Sequence, residues 1–267
     1  MQETSALERV MAVVRDLRLR CDWDRVQTRE TLRPYLVEEV LELDHAIGSE
    51  DRSAIREEMG DFLLHLAWQL VLAEELGEFT ADELARATER KMQRRHPHLF
   101  ELGPRGGWEE VKRRERQRGV LDGLPPTLPA LLMAYRLQER AASVGFDWPD
   151  TTGPAGKVRE ELAEVERELE KIGDTRPGGE EGGRALLSAE IGDLLFAVVN
   201  LARKAGVEPS GALEGANRKF LRRFALVEAL ASERGQELHD AGLEALDRLW
   251  EESKARELAD PATDGPS

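Results

Sequence analysis

Cysteine is nearly absent: Cys21 is the single one among 267 residues. One thiol excludes an intrachain disulfide and a thiolate-built zinc site, and it fits a reducing compartment. Aromatic residues make up only 5%, and no segment alternates apolar with polar residues over strand length, so a β-sandwich is not expected. Basic charge is in deficit, 38 Lys and Arg against 53 Asp and Glu, for a net charge of -15. A nucleic-acid partner would need a basic stripe, so none is expected. Long apolar runs are missing too. The longest, 62–73 and 194–202, are too short for a bilayer and read as buried core helices. The first residues show no basic region leading into an apolar one. No signal peptide and no membrane are expected, and the cytoplasm is the expected location.

What the chain does have is a carboxylate pattern that occurs twice. Glu38, Glu39 and Glu42 are followed by Glu58 and Asp61; Glu160, Glu161 and Glu164 are followed by Glu190 and Asp193. Each second group is a Glu-x-Gly-Asp at the mouth of an uncharged apolar run. The pairs 39/42 and 161/164 are offset by 122 residues, the pairs 58/61 and 190/193 by 132. Further copies flank them: Cys21-Asp22-Trp23 against Phe146-Asp147-Trp148, and Lys91, Arg94 and Arg95 against Lys219, Arg222 and Arg223. The ten extra residues of the second half fall in a Gly-rich stretch, 173–183, that reads as a loop. Two related modules are expected, residues 1–118 and 131–267. The segment 119–130, rich in Pro and Gly, would join them.

Within each half the apolar period is helical. Leu32, Leu36, Val40, Leu43 and Ile47 share one stripe, as do Val158, Leu162, Val165, Leu169 and Ile172. Pro34 and Pro154 read as first-turn prolines. Glu39 and Glu161 abut the stripe, with Glu42 and Glu164 on its flank, so each pair can point into one site. The runs after Asp61 and Asp193 are apolar nearly all round and read as central helices. Gly60 and Gly192 would then allow close approach of a neighbouring helix. The expected fold class is all-α, a bundle of about four helices per half.

A single acidic cluster of this kind is ordinarily a solvated helix face. Duplication, the border with the apolar stripe and the downstream Lys/Arg groups favour a site instead. Four converging carboxylates cannot all stay ionised without compensation. Mg²⁺, with Mn²⁺ as the alternative, is the expected ion, held by Glu39, Glu42, Glu58 and Asp61 in one half and by Glu161, Glu164, Glu190 and Asp193 in the other. Mg²⁺ characteristically shares carboxylates with substrate phosphates, which would be met by Lys91 and Arg95 or by Lys219, Arg222 and Arg223. His65, in an apolar stretch, reads as a satisfied core histidine. Glu42 and His45 spell the Glu-x-x-His of di-iron bundles, a weak alternative because the second half has Arg167 there. Trp23 and Trp148 read as core anchors, with base stacking an open alternative.

At these residues the chain resembles the MazG family of nucleoside triphosphate pyrophosphohydrolases, of the all-α NTP pyrophosphatase superfamily. The resemblance rests on Glu-Glu-x-x-Glu followed by Glu-x-x-Asp, met twice, and on the stretches 21–24, 94–100, 144–148 and 217–224. It implies two tandem MazG-like helical modules in a homodimer, hydrolysing NTP to NMP and pyrophosphate with Mg²⁺, and a role in removing aberrant nucleotides. It also implies that the C-terminal module carries the activity. Glu161, Glu164, Glu190 and Asp193 would then be the metal ligands and catalytic acids. Lys219 and Arg223 would hold phosphates, with Trp250 near the nucleotide. A nucleotide or alarmone sensor without turnover would use the same residues.

Overall fold

The computed structural model describes residues 5–100, 119–172 and 181–259, and every regular element among them is helical. The all-α expectation holds. Residues 5–100 belong to one compact unit and the described residues from 119 onward to another.

In the first unit, α1 (Ala6–Arg20) leads through the one-turn α2 (Asp22–Arg25) into α3 (Arg29–Ser49), α4 (Arg52–Glu75) and α5 (Ala81–Arg95). The starts are written in the chain. Ser5, Thr28, Asp51 and Thr80 each accept from a first-turn amide N–H, and such a cap is typically worth about 1 kcal/mol. The α3–α4 hairpin turns on Glu50, which is left-handed (φ 57°), followed directly by the Asp51 cap. Pro34 is not in a first turn as expected: α3 begins earlier, at Arg29, and runs through it. Its missing N–H removes one intrahelical hydrogen bond, yet the helix continues to Ser49.

Helix α4 is the centre of this unit. Ala67, Trp68, Leu70, Val71 and Leu72 pack with Met11 and Val14 of α1 and Leu32 of α3. Arg18 ties the periphery down, pairing with Glu75 through both nitrogens at 2.6 and 2.7 Å and donating to the carbonyls of Asp24 and Gln27. Cutting the fully buried Leu32 back to alanine would cost about 2–5 kcal/mol.

In the second unit, residues 120–128 form turns and Pro129 starts α6 (Ala130–Ala142). Then come α7 (Thr152–Ile172), α8 (Glu181–Lys204), α9 (Pro209–Glu233) and α10 (Leu243–Ala259). α7 packs along α8, α6 lies against α8, and α9 pairs with α10 around Val227, Leu230, Ala231 and Leu249. Most of the loop expected at 173–183 lies outside the described residues, but 181–183 already belong to α8.

Three expectations change. α8 is not a buried central helix. Ala197 and Val199 are buried, yet Ile191, Leu195 and Val198, spaced four and three apart, are exposed. Nor is its apolar stretch short. Gly182–Lys204 is long and apolar enough to cross a membrane by length and composition, with mean hydropathy 1.7. However, it carries Glu190 and Asp193 mid-length and packs against α6 and α7. Finally, Gly60 and Gly192 do not serve close packing. A Cβ at either would meet nothing within 4 Å.

Candidate active site

The α3–α4 and α7–α8 pairs each bring three carboxylates together. Glu39, Glu58 and Asp61 offer oxygens within 4.8 Å of one another, as do Glu161, Glu164 and Glu190. Helical spacing does the local work: 58/61 and 161/164 are i, i+3 pairs on one face, and the neighbouring helix supplies the third acid. Glu42 and Asp193 are exposed and stand outside these two trios. Glu42 is still close enough to act on the charge of Glu39 and Glu58.

The trios differ in electrostatics. Burial, and then the charges of Asp61, Glu42, Glu58 and Glu38, push the Glu39 carboxyl above its ordinary range. Glu58 is raised in the same way, by burial and by Glu42, Glu57 and Asp61. Here like charges face each other with no ammonium or guanidinium among the described groups to offset them. In the second trio Glu161 is only 5% exposed, and Lys157, one turn earlier, places its Nζ 2.5 Å from Oε1 of Glu161 and 2.9 Å from Glu160. Those two carboxylates hold the Lys157 ammonium well above the ordinary lysine range. Glu164 carries its own partner, Arg167, at 2.9 Å. Lys157 thus offsets one acid of the trio, Glu161, and the trio offers carboxylate oxygens, the ligands that hard divalent cations take. The donor set therefore fits Mg²⁺ or Mn²⁺.

Two residues of these sites escaped sequence reasoning. Lys157 looks like any i, i+4 surface partner until Glu161 proves buried. Tyr35 stands at the corresponding place of the first half. His65 is buried as expected, at 8% exposure, but it is not satisfied. Its Nδ1 has no hydrogen-bond partner and its Nε2 lies 3.8 Å from Glu39. Burial holds the imidazole below its ordinary pKa, against the pull of Asp61, so it is neutral near pH 7. The second half has Ala197 there.

The basic residues are placed differently from the expectation. Arg223 and Arg222 pair with Glu257 of α10, at 2.5 and 3.3 Å, and the two guanidinium groups hold that carboxyl below its ordinary range. Phe220 packs 5.3 Å from Trp250, beside the α9–α10 core. Lys219 lies on the exposed side of α9, and Lys91 and Arg95 are half-buried on α5. Among the described residues, no ion pair joins any of them to an acid trio.

A helical hairpin that gathers three carboxylates beside an apolar helix, twice in one chain, defines an all-α protein with two candidate cation sites. The comparisons specify which. The profile of the MazG nucleotide pyrophosphohydrolase domain matches residues 27–100. The nucleoside triphosphate pyrophosphohydrolase/pyrophosphatase MazG of Thermotoga maritima is 40% identical over 240 residues, covering 88% of this chain and 89% of that protein. The nucleoside triphosphate pyrophosphohydrolase of Escherichia coli K12 is 39% identical over 272 residues, covering 97% and 99%. The uncharacterized protein YabN of Bacillus subtilis is 41% identical over 258 residues, covering 92% of this chain and 51% of its own length. The chain belongs to the MazG family of nucleotide pyrophosphohydrolases.

Proposed function

We propose that this protein hydrolyses nucleoside triphosphates to the monophosphate and pyrophosphate, with Mg²⁺ held by Glu161, Glu164 and Glu190 and with Asp193 joining when nucleotide binds. The observation that carries the reading is the convergence of three acids on α7 and α8, one of them, Glu161, buried and paired with the Lys157 ammonium. Bound there, the ion supplies charge neutralisation and polarisation at the phosphates. The chain's own residues supply the rest. The carboxylates fix the cation and orient the attacking water. Lys157, beside the acids, would offer its ammonium to a phosphate oxygen. Lys219, Arg222 and Arg223 complete the anion contacts, the arginines exchanging Glu257 for phosphate. Trp250, packed on Phe220, lies on the nucleotide side. In the first module Glu39, Glu42, Glu58 and Asp61 form the matching metal set, with Lys91 and Arg95 as its phosphate partners.

The modules are tandem copies, 1–118 and 131–267, joined by 119–130, and they work in a homodimer. Exposed apolar stripes support the dimer: Met59, Phe62 and Leu66 on α4, and Ile191, Leu195 and Val198 on α8. Such faces are normally covered by another subunit. The biological role is removal of aberrant nucleotides in the cytoplasm.

The test is a panel of canonical and modified triphosphates with Mg²⁺, the products identified by ³¹P NMR. Monophosphate with pyrophosphate is expected. Diphosphate with orthophosphate, or nucleotide binding without any turnover, would overturn the proposal.

A further inference from the structure

His65 is a buried polar residue that the hydrolysis chemistry leaves unused. It sits on α4, one turn beyond Asp61, and is 8% exposed. The residues beside it in the chain are apolar, Leu63 and Leu64 before it and Leu66 and Ala67 after it. Its Nδ1 lies in the interior with no hydrogen-bond partner. An unpaired buried polar atom costs stability, so packing does not account for a histidine here; an apolar ring of the same size would suit the core better. The other edge of the ring faces the first acid trio, with Nε2 3.8 Å from Oε1 of Glu39.

This placement selects the nitrogen that carries the proton. Nδ1 has no acceptor, so a proton there would be buried unpaired. A proton on Nε2 points at a carboxylate. The ring is therefore the Nε2–H tautomer, a donor aimed at Glu39. The hydrogen bond is not made at 3.8 Å. Such bonds form at about 2.7–3.2 Å, so a shift of about 1 Å closes it. A carboxylate can serve two sides at once, one oxygen accepting from the imidazole while the other takes a cation. The second half shows the same need met in another way. Glu161, the counterpart of Glu39, is held at 2.5 Å by Lys157, one turn earlier on its own helix. Tyr35 stands at that place in the first half and brings no charge. The nitrogen donor comes instead from across the α3–α4 hairpin, where the second half has only Ala197.

We propose that His65 is a positioning residue for the first module's cation site: its Nε2–H closes on Glu39 when a divalent cation binds and holds that carboxylate in its ligating orientation. The inference rests on the reading of Glu39, Glu58 and Asp61 as a cation site. Partners of this kind, one step behind the ligands, are worth about 10- to 100-fold in metal affinity. The test uses full-length Glu161→Gln as the parent, which disables the second trio, so that Mn²⁺ binding followed by electron paramagnetic resonance reports the first. His65→Phe, added to that parent, keeps a ring and removes the donor. It should weaken Mn²⁺ binding about 10- to 100-fold. The urea midpoint of the metal-free protein should stay level or rise, because the unpaired Nδ1 is gone. His65→Gln, whose amide also donates, should restore most of the affinity. In protein labelled with ¹⁵N-histidine, the His65 ring should show the Nε2–H tautomer without metal. Mg²⁺ should then shift the Nε2–H proton as the hydrogen bond forms. Equal Mn²⁺ binding in the parent and both variants, or an Nδ1–H tautomer, would overturn the positioning role and leave the cation site standing. Weakened binding in both variants with a lowered urea midpoint would overturn it too, since His65 would then act only through the fold. A parent that binds no Mn²⁺ would overturn the cation reading of the first trio and the role of His65 with it.

Discussion

Asp147 offers a quantitative test of how the second unit holds its aromatic loop. Its carboxylate bridges Arg203 and Lys204 at the end of α8 and accepts from the Trp148 amide. Arg203 first, then Lys204, outweigh the burial that opposes them and bring its pKa from 3.8 down to about 2. At 1.36 kcal/mol per unit, that shift corresponds to about 2.5 kcal/mol if taken whole. The Asp147 side chain is 22% exposed, so solvent and salt screen part of it, and about 1 kcal/mol is the better expectation. The sign follows from the direction. A carboxylate with a depressed folded-state pKa stabilises the fold above its unfolded pKa. That contribution fades as pH falls from about 4 to about 2. Asp147→Asn should therefore destabilise the protein by about 1 kcal/mol at pH 7 and by nearly nothing at pH 2. The assay is urea unfolding of both proteins at pH 7, 5, 3 and 2, repeated in 1 M NaCl, which should shrink the pH 7 difference. A stability difference that is flat from pH 7 to pH 2 would refute the reasoning, because the effect would then owe nothing to the charge.

Four further outcomes are expected. Glu161→Gln should lower kcat for pyrophosphate release by about 10²-fold or more, the scale of losing one positioned charge contact, with the far-UV circular dichroism unchanged; full activity would count heavily against the site. Glu39→Gln should have a smaller effect in the same assay, and equal losses would show that both modules turn over. Lys157→Met should tighten Mg²⁺ binding in calorimetry without nucleotide, since the ammonium no longer competes for Glu161, while raising KM for the triphosphate. Glu257→Gln should lower that KM by roughly 1.5- to 5-fold, the worth of an exposed ion pair that competes with phosphate; a raised KM would mean that Glu257 positions Arg223 rather than blocking it.

The helices were legible because their signals are local. The apolar period of three and four runs through 32–47 and 158–172. The i, i+3 acid pairs were legible for the same reason, since that spacing needs no tertiary knowledge; which three of each expected four converge depends on how the two helices pack. What was not legible depends on contacts distant in the chain. Arg222 and Arg223 look free for phosphate until α10 brings Glu257 against them, 35 and 34 residues away. Pro34 looks like a helix start because proline favours first turns, yet the Thr28 cap acts earlier. Gly60 and Gly192 look like packing glycines, and only the coordinates show open space around them.

Equal signatures do not make the two modules equal sites. The first trio is surrounded by like charge, with Tyr35 and the neutral His65 at the places that Lys157 and Ala197 fill in the second. The raised Glu39 and Glu58 carboxyls bind protons more readily in the folded state than unfolded, so ionising them works against folding. That penalty is absent at low pH and grows as pH rises through their elevated folded-state range. A divalent cation bound there would lift it by displacing those protons. Mg²⁺ should therefore stabilise the first unit increasingly as pH rises from mildly acidic to neutral. Thermal unfolding across that pH range, with and without Mg²⁺, in wild type and in Glu39→Gln, measures this directly. Identical Mg²⁺ profiles in the two proteins would mean that the first trio takes no ion, and that its four acids are a copied pattern without the site.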